Sequence, residues 1–233
     1  MTPLAPRIVV GCAFVLATGT IADGLEYKRS PAVPPVCASR SDPALARTRA
    51  AALAAARVRS FPKLRDVLAP TVSYLLAEYT PDGFVATAMA WPREQQDDFW
   101  AAVVDVLELP LVVHQAVPEV DPPTASAYHR HMNYPEDEWV LITGRGVEVR
   151  SQPSSASPVV ARLSQELVPS WCDQTIDDAP RSGRLRPAFL AVLYDGARRG
   201  WVDARFARSR LDFAVVFQRI AGAWKVADFA IGD

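Results

Sequence analysis

Apolar residues follow a helical period through much of the first half of the chain. From Pro43 to about Arg59, an alanine-rich stretch places its larger apolar residues on one stripe, with Asp42 as a candidate N-cap. A proline at the first helical position fits the same start. A second, short helix is predicted over residues 61–68, and helical spacing over residues 93–109 predicts a third.

The rest of the first half combines one strand pattern with turn and loop patterns. Alternation from Pro70 to Tyr79 predicts a strand, and Thr-Pro-Asp-Gly at residues 80–83 predicts a tight turn after it. Residues 117–138 contain four prolines and show no period, so they predict a loop. This loop marks a boundary or an insertion point ahead of the second half.

A two-residue period dominates from Trp139 onwards. Five short stretches have strand character, namely WVLITG, GVEVRS, PVVARLS, FLAVLY and RRGWVDARF. Asp195-Gly196 predicts a hairpin turn between the last two, and Ala221-Gly222 predicts a second hairpin near the end of the chain. The whole pattern predicts an α+β fold, with helices and strands over residues 43–138 and a terminal hairpin over residues 209–233 that packs on them.

The N-terminal sequence is typical of an export signal. Arg7 precedes an uncharged apolar run from Ile8 to Ala22, and small residues at 20 and 22 suit a cleavage site, so residues 1–22 are predicted to be a signal peptide. The run is shorter than the roughly 20 residues of a membrane span, which predicts a mature protein with no integral span, in the periplasm or secreted. An uncleaved anchor or a buried strand is the alternative. Residues 23–42 are proline-rich and aperiodic, which predicts an extended linker.

Composition narrows the classes of partner. The chain has 25 basic and 26 acidic residues and a net charge of -1, so it lacks the field that would attract nucleic acid or an anionic membrane surface. Cleavage after residue 22 would remove Cys12 and leave Cys37 and Cys172, an even pair in an oxidising compartment. A disulfide between them and two unpaired thiols remain equally open.

Two spaced groups of residues between Leu141 and Phe206 match a known pair of motifs. The first group is Gly144, Val147, Val149, Arg150, Pro153, Ser154, Ser157, Pro158, Val159, Val160 and Leu163. The second group is Asp195, Gly196, Gly200, Trp201, Val202 and Phe206. With these motifs the stretch resembles bacterial SH3-like domains, which implies a small β-barrel over residues 139–208. Glu148 replaces the usual asparagine, and the loop before Phe189 is longer than usual. The ligand-binding residues of the family are therefore harder to assign to positions of this chain.

A wider resemblance covers most of the mature chain. Its residues are the helix from Phe99 to Leu107 together with Ser209, Asp212, Phe213, Phe217, Gly222, Trp224, Phe229, Gly232 and Asp233. The chain thereby resembles a group of exported bacterial proteins in which an SH3-like module lies between an α/β segment and a terminal Gly-x-Trp hairpin. Outside the module it is also similar to nuclear-transport-factor-2-like domains. Both resemblances imply architecture and compartment rather than an activity, and they leave open whether the barrel is an insertion or a separate domain.

Catalytic and cofactor motifs are scarce in the sequence. Ser60-Phe-Pro-Lys63 has the S-x-x-K spacing of penicillin-recognising serine enzymes, but the partner S-D-N and K-T-G motifs are missing. His129 and His131 are the best metal candidates, yet a third ligand at a defined spacing is absent and a solvated polar loop is the simpler interpretation. We therefore expect no enzymatic activity, no cofactor and no metal.

Aromatic residues give the best binding hypothesis. Trp171, Tyr194, Trp201 and Phe206 fall where an SH3-like barrel could line a shallow groove, which favours a cell-wall peptide or an envelope protein segment as the partner. For Trp201 and Phe206 a place in the barrel core is the stronger expectation, whereas Trp171 is the better candidate for an exposed ring. The alternative function is a small-molecule or hydrolytic pocket in the α+β part. Its residues would be Tyr74, Trp100, Phe217 and Trp224 with Asp212 or Asp228, although their spacing is also that of plain core packing.

Overall fold

The computed structural model describes residues 30–31, 42–114, 124–127, 139–170, 188–195, 198–209 and 212–230. The helices are α1 (Pro43–Arg57), α2 (Phe61–Arg65), α3 (Pro81–Met89) and α4 (Arg93–Leu107). The first strands are β1 (Ser30–Pro31), β2 (Leu68–Tyr74), β3 (Ala77–Tyr79), β4 (Leu111–His114), β5 (Thr124–Ala127), β6 (Trp139–Ile142) and β7 (Val147–Arg150). The others are β8 (Val159–Leu163), β9 (Glu166–Pro169), β10 (Phe189–Tyr194), β11 (Arg198–Asp203), β12 (Ala207–Arg208), β13 (Ala214–Ile220) and β14 (Ala223–Ala230).

Helices and sheets together confirm the α+β class predicted from the sequence. The predicted signal peptide, residues 1–22, and both cysteines of the predicted pair, Cys37 and Cys172, lie outside the described residues. None of the described helices has the length and hydrophobicity needed to cross a bilayer.

The start of α1 confirms the predicted N-cap and shows a second role for it. Asp42 Oδ1 accepts hydrogen bonds from the backbone N–H groups of Ala44 and Leu45 at 2.9 and 3.1 Å. Its other oxygen accepts a bond from the indole N–H of Trp224 at 2.8 Å. The bond from Leu45 contributes most to lowering the pKa of Asp42 below its ordinary value. One carboxylate therefore starts the helix and also attaches it to β14.

Six strands form the sheet that carries the helices. Their order is β3-β2-β14-β13-β5-β4, and β14 runs parallel to β2 while the other neighbours are antiparallel. The hairpin of β13 and β14 thus lies between strands from the first half of the chain. The helices α1, α3 and α4 contact β14, β2 and β13 respectively. A large aromatic core fills the space between helices and sheet, with Phe84 stacked on Phe229 at 5.3 Å between ring centroids.

The four aromatic residues of the alternative pocket are all part of this core. Tyr74, Trp100, Phe217 and Trp224 are 5%, 2%, 0% and 4% exposed, respectively. Their rings pack against other core side chains, as their core-like spacing predicted.

The single strand predicted from Pro70 to Tyr79 is wrong, because the chain reverses at Leu75-Leu76. Both leucines have positive φ, 49° and 68°, and Tyr74 pairs directly with Ala77 across the turn. A two-residue hairpin of this kind normally carries Asn-Gly, so the local sequence gives no signal for it. Leu76 is 97% exposed at its tip.

The tight turn predicted at residues 80–83 is also wrong, because these residues begin α3. Thr80 Oγ1 accepts a hydrogen bond from the Gly83 N–H at 3.2 Å, and Pro81 occupies the first turn. Thr-Pro at a helix start and Thr-Pro in a turn have the same local sequence. The core position of Phe84 decides between them, since only the helix buries that ring.

Two segments predicted without strands contain short ones. Within the loop predicted at residues 117–138, β5 pairs with β4 and with β13. Within the linker predicted at 23–42, β1 pairs with β9 through the partners Ser30↔Leu167 and Pro31↔Glu166. Such short strands arise from pairing with a neighbouring edge, which a single sequence does not reveal.

The second half forms two four-stranded sheets in the orders β1-β9-β6-β12 and β10-β11-β7-β8. Side chains from both sheets share one apolar core, made of Val140, Ile142, Val147, Val149, Leu163, Val168, Val192, Tyr194, Val202 and Ala207. We call this part, residues 139–208, the β-module. The chain crosses from one sheet to the other between β8 and β9, and a bridge between Ser170 and Val192 links the sheets again.

Gly200 lies where two core side chains of the β-module approach the backbone closely. A Cβ atom there would lie 2.3 Å from Val149 Cγ1 and 3.0 Å from Tyr194 Cε1. The absent side chain therefore makes room for two core residues.

A buried arginine joins the β-module to the helical layer. Arg208 of β12 is 1% exposed, and its guanidinium donates to the carbonyl oxygens of Ala204 and Ala207 at 2.9 and 3.2 Å. It also donates to the carbonyl oxygen of Asp105 in α4 at 3.3 Å. Because a buried cation requires hydrogen-bond acceptors, this contact holds α4 against the end of the module.

Candidate functional site

A groove of about 360 Å³ opens on the surface of the β-module. It is lined by Gly144, Arg145, Gly146, Val147, Glu148, Arg150, Ser155, Arg162, Phe189, Asp203, Arg205 and Phe206. We call it the arginine groove, because four of its six charged side chains are arginines.

The wall formed by β7 follows from strand alternation. Val147 and Val149 point into the module core, so Glu148 and Arg150 point outward into the groove. Glu148 lies directly opposite Arg162 of β8, and the two side chains form an ion pair at 2.9 Å. Arg150 forms a second ion pair with the same carboxylate. Glu148 is thus shared between two arginines.

The turn between β6 and β7 forms one end of the groove. Gly146 has a φ of 62°, a conformation that favours glycine, and its N–H donates to Ser164 Oγ at 2.7 Å. Its carbonyl oxygen accepts a bond from Arg162 at 3.1 Å. Between the two glycines, Arg145 is exposed, and it forms no hydrogen bond or ion pair with any residue that the structure describes.

A single 3-10 turn, Ala204–Phe206, presents the aromatic side of the groove. Asp203 caps this turn by accepting the Arg205 N–H at 2.9 Å, and its carboxylate also receives the Arg205 guanidinium at 2.6 Å. Hydrogen bonding to Asp203 raises the pKa of Arg205, so its cation persists at any physiological pH.

Phe206 is held in place by its backbone while its ring stays accessible. Its carbonyl oxygen accepts a bond from the Thr143 N–H at 2.9 Å, and a Cβ on Gly144 would lie 3.4 Å from the ring. The side chain is 43% exposed, and Arg205 Cζ lies 5.5 Å from the ring centroid. An apolar surface therefore borders the cationic part of the groove.

The loop between β7 and β8 is fixed by its own hydrogen bonds. Ser157 Oγ lies 2.9 Å from the carbonyl oxygens of both Gln152 and Ser154. Arg150 donates to the Ser157 carbonyl oxygen at 2.6 Å, which ties the loop to the groove wall. These bonds fix the backbone of the segment that includes Ser155, another lining residue.

The four aromatic residues predicted to bind ligand have different positions. Phe206 lines the arginine groove, so its expected place in the core is wrong. Tyr194 is 3% exposed in the module core, and Trp201 is 6% exposed. Trp171 lies outside the described residues.

Sequence reasoning missed most of the charged lining. Alternation in GVEVRS already directs Glu148 and Arg150 outward, so this pair could have been found from the sequence. Arg145, Arg162 and Arg205 gave no such signal, because only strand pairing and the 3-10 turn bring them together.

The described residues contain no group of three or more side chains suited to hold a metal ion. The candidates His129 and His131 lie outside those residues. Ser60 acts as the N-cap of α2 and accepts the Lys63 N–H at 3.4 Å, which accounts for the S-x-x-K spacing as a local helix start.

Comparison of the chain with protein-family models, with curated proteins and with solved structures finds no match. The function proposed for this chain therefore rests on the geometry of the arginine groove.

Proposed function

We propose that the chain is an exported, non-catalytic binding protein, and that its β-module is an SH3-like barrel that docks a peptide segment of the cell wall or of an envelope protein. The arginine groove is the docking surface. The observation that carries the proposal is the exposed Phe206 ring, held on a fixed backbone at the edge of a groove of peptide size.

The strand arrangement supports a barrel. The first and last strands of the β-module, β6 and β12, pair antiparallel through Ile142↔Ala207 and Leu141↔Arg208. Pairing of the first strand with the last brings the ends of the module together, and both sheets enclose a single core. With the two matching motifs, these features favour an SH3-like barrel over an open sandwich.

The position of each side chain supports binding rather than catalysis. Arg150, Arg162 and Arg205 are held by carboxylates of the groove itself, so they are preorganised to donate hydrogen bonds to a ligand. The aromatic residues of the alternative pocket are packed in the core of the helical layer. No observation on the described residues favours that pocket as a second candidate function.

A sedimentation assay with purified peptidoglycan tests the proposal. We expect the mature chain to co-sediment with the polymer, and Phe206→Ala to reduce the bound fraction because it removes the exposed ring. Trp171→Ala tests the aromatic residue that sequence analysis favoured. Tyr79→Phe, on the helix-bearing sheet, is a matched control that should bind like the original chain. Absence of retention at physiological salt, both for peptidoglycan and for an envelope protein extract, would refute the proposal.

A further inference from the structure

The arginine groove carries an excess of positive charge that its own acidic residues do not neutralise. Its lining has four arginines and two carboxylates, Glu148 and Asp203. Glu148 is shared by two arginines, and Asp203 is engaged by Arg205. Arg145 is exposed and forms no hydrogen bond or ion pair with any described residue. The lining thus keeps a formal charge of about +2 in a chain of net charge -1.

We propose that the groove selects a peptide bearing a carboxylate, with Arg145 as the cation that binds it and Phe206 as the surface for a neighbouring aliphatic side chain. This inference rests on the proposed function, because it names the ligand chemistry of the same groove. Its basis is charge complementarity, since a concave surface with surplus cations stabilises an anion that brings its own negative charge.

The arrangement favours a carboxylate on a peptide over a nucleic acid backbone. Guanidinium groups bind carboxylates through two parallel hydrogen bonds, and Arg145 is exposed enough to adopt that geometry. Nucleic acid binding would need a longer row of cations, whereas the groove spans one turn, one strand pair and one 3-10 turn. The exposed Phe206 ring supplies the apolar contact that a short peptide needs beside its charge.

A set of four synthetic peptides separates the sources of the carboxylate. All have the sequence Ala-Glu-Leu-Ala-Ala or its Gln form, each with either a free or an amidated C-terminus, and binding to the full mature chain is measured by isothermal titration calorimetry. We expect at least one carboxylate form to bind about tenfold more tightly than the Gln amide, which has no carboxylate, the size expected for one charge-assisted bidentate contact. The better of the two single-carboxylate peptides identifies a side-chain or a terminal carboxylate as the recognised group.

Two variants connect this preference to the groove. Arg145→Gln should remove the tenfold preference while thermal unfolding stays unchanged, because its exposed side chain forms no hydrogen bond or ion pair with a described residue. Arg47→Gln is the matched control, an exposed arginine on α1 that likewise has no described partner, and it should leave the preference intact.

The outcomes distinguish this inference from the proposed function. Equal affinity for all four peptides, with loss of binding in Phe206→Ala, would overturn carboxylate selection and leave the docking function standing. Retention on peptidoglycan without binding of any peptide would do the same. Binding of a single-stranded oligonucleotide as tight as that of the best peptide would also overturn it. Absence of every interaction, including retention on peptidoglycan and envelope proteins, would overturn both.

Discussion

Replacement of Gly200 by alanine should destabilise the β-module through one defined contact. Gly200 pairs with Val192 in the β10–β11 hairpin, and it lies against Val149 and Tyr194 in the core. The added Cβ would be 2.3 Å from Val149 Cγ1, whereas carbon atoms normally approach to about 3.5–4.0 Å. It would also lie 3.3 Å from the Arg150 carbonyl oxygen. This oxygen belongs to the backbone and cannot move aside as a flexible side chain could.

The size of the effect follows from two opposing contributions. Overpacking a closely packed core costs about 1–3 kcal/mol. Replacing glycine lowers the conformational entropy of the unfolded chain and returns about 0.4–1 kcal/mol. We therefore expect Gly200→Ala to lower the free energy of unfolding by about 1–2 kcal/mol, the clash being the larger contribution.

Urea unfolding followed by tryptophan fluorescence measures this loss as a lower midpoint at an unchanged m-value. A double-mutant cycle with Val149→Ala then identifies the contact. Val149→Ala alone should cost about 2 kcal/mol, because it removes buried methyl groups. In the double variant the space vacated by Val149 accepts the new Cβ. The double variant should therefore lose about 1 kcal/mol less unfolding free energy than the two single variants lose together.

Two results would refute this reasoning. If Gly200→Ala unfolds at the same midpoint as the original chain, β11 and β7 accommodate the added Cβ without loss of unfolding free energy. Strict additivity in the cycle would show that Val149 is not the group that the new Cβ meets. A changed m-value would instead point to an altered unfolded state.

Three further changes test other parts of the fold. Asp42→Ala should lower the unfolding free energy by about 2 kcal/mol at pH 7, since it removes the cap and the acceptor for Trp224. Because folding lowers the pKa of Asp42 below 3.8, the difference from the variant should be largest above pH 3.8 and should decrease as pH falls through the lowered value; a pH-independent difference would contradict this. Arg208→Met should lower the free energy of unfolding by about 3 kcal/mol, as measured by urea unfolding, because it leaves buried carbonyl oxygens without donors. Unchanged stability would contradict the role of this contact. Replacing Leu75-Leu76 by Asn-Gly should raise the free energy of unfolding by about 1 kcal/mol, because both positions have positive φ, and the change should appear as a higher melting temperature. A lower melting temperature would mean that the leucines make contacts important for the fold.

Much of the secondary structure was predictable because its signals are local. The start of α1 at Asp42-Pro43, the strands β6, β7 and β10 and the hairpin at Ala221-Gly222 agree with the sequence predictions. Each depends on capping, alternation or turn residues within a few positions. The wrong prediction at residues 80–83 comes from a local signal that fits both a turn and a helix start, and burial of Phe84 favours the helix. The reversal at Leu75-Leu76 has no local signal.

The candidate site was predictable only in part. The sequence indicated a strand-rich unit over residues 139–208, and Phe206 was among the aromatic residues selected as ligand-binding candidates. Its exposure results from the 3-10 turn that carries it, and Trp201 and Tyr194 are buried by strand pairing that the sequence does not encode locally.

The sequence by itself determined where α1, α2 and α4 begin, the strand-rich second half and the α+β class, because capping and periodicity act over a few neighbouring residues. Tertiary structure alone decided that β13 and β14 lie between β2 and β5, and that Arg145, Arg162 and Arg205 share one groove with Phe206. The physical reason is distance along the chain. Contacts between residues far apart in sequence depend on the register of paired strands and on the shared burial of core residues, and neither leaves a periodic trace in the sequence.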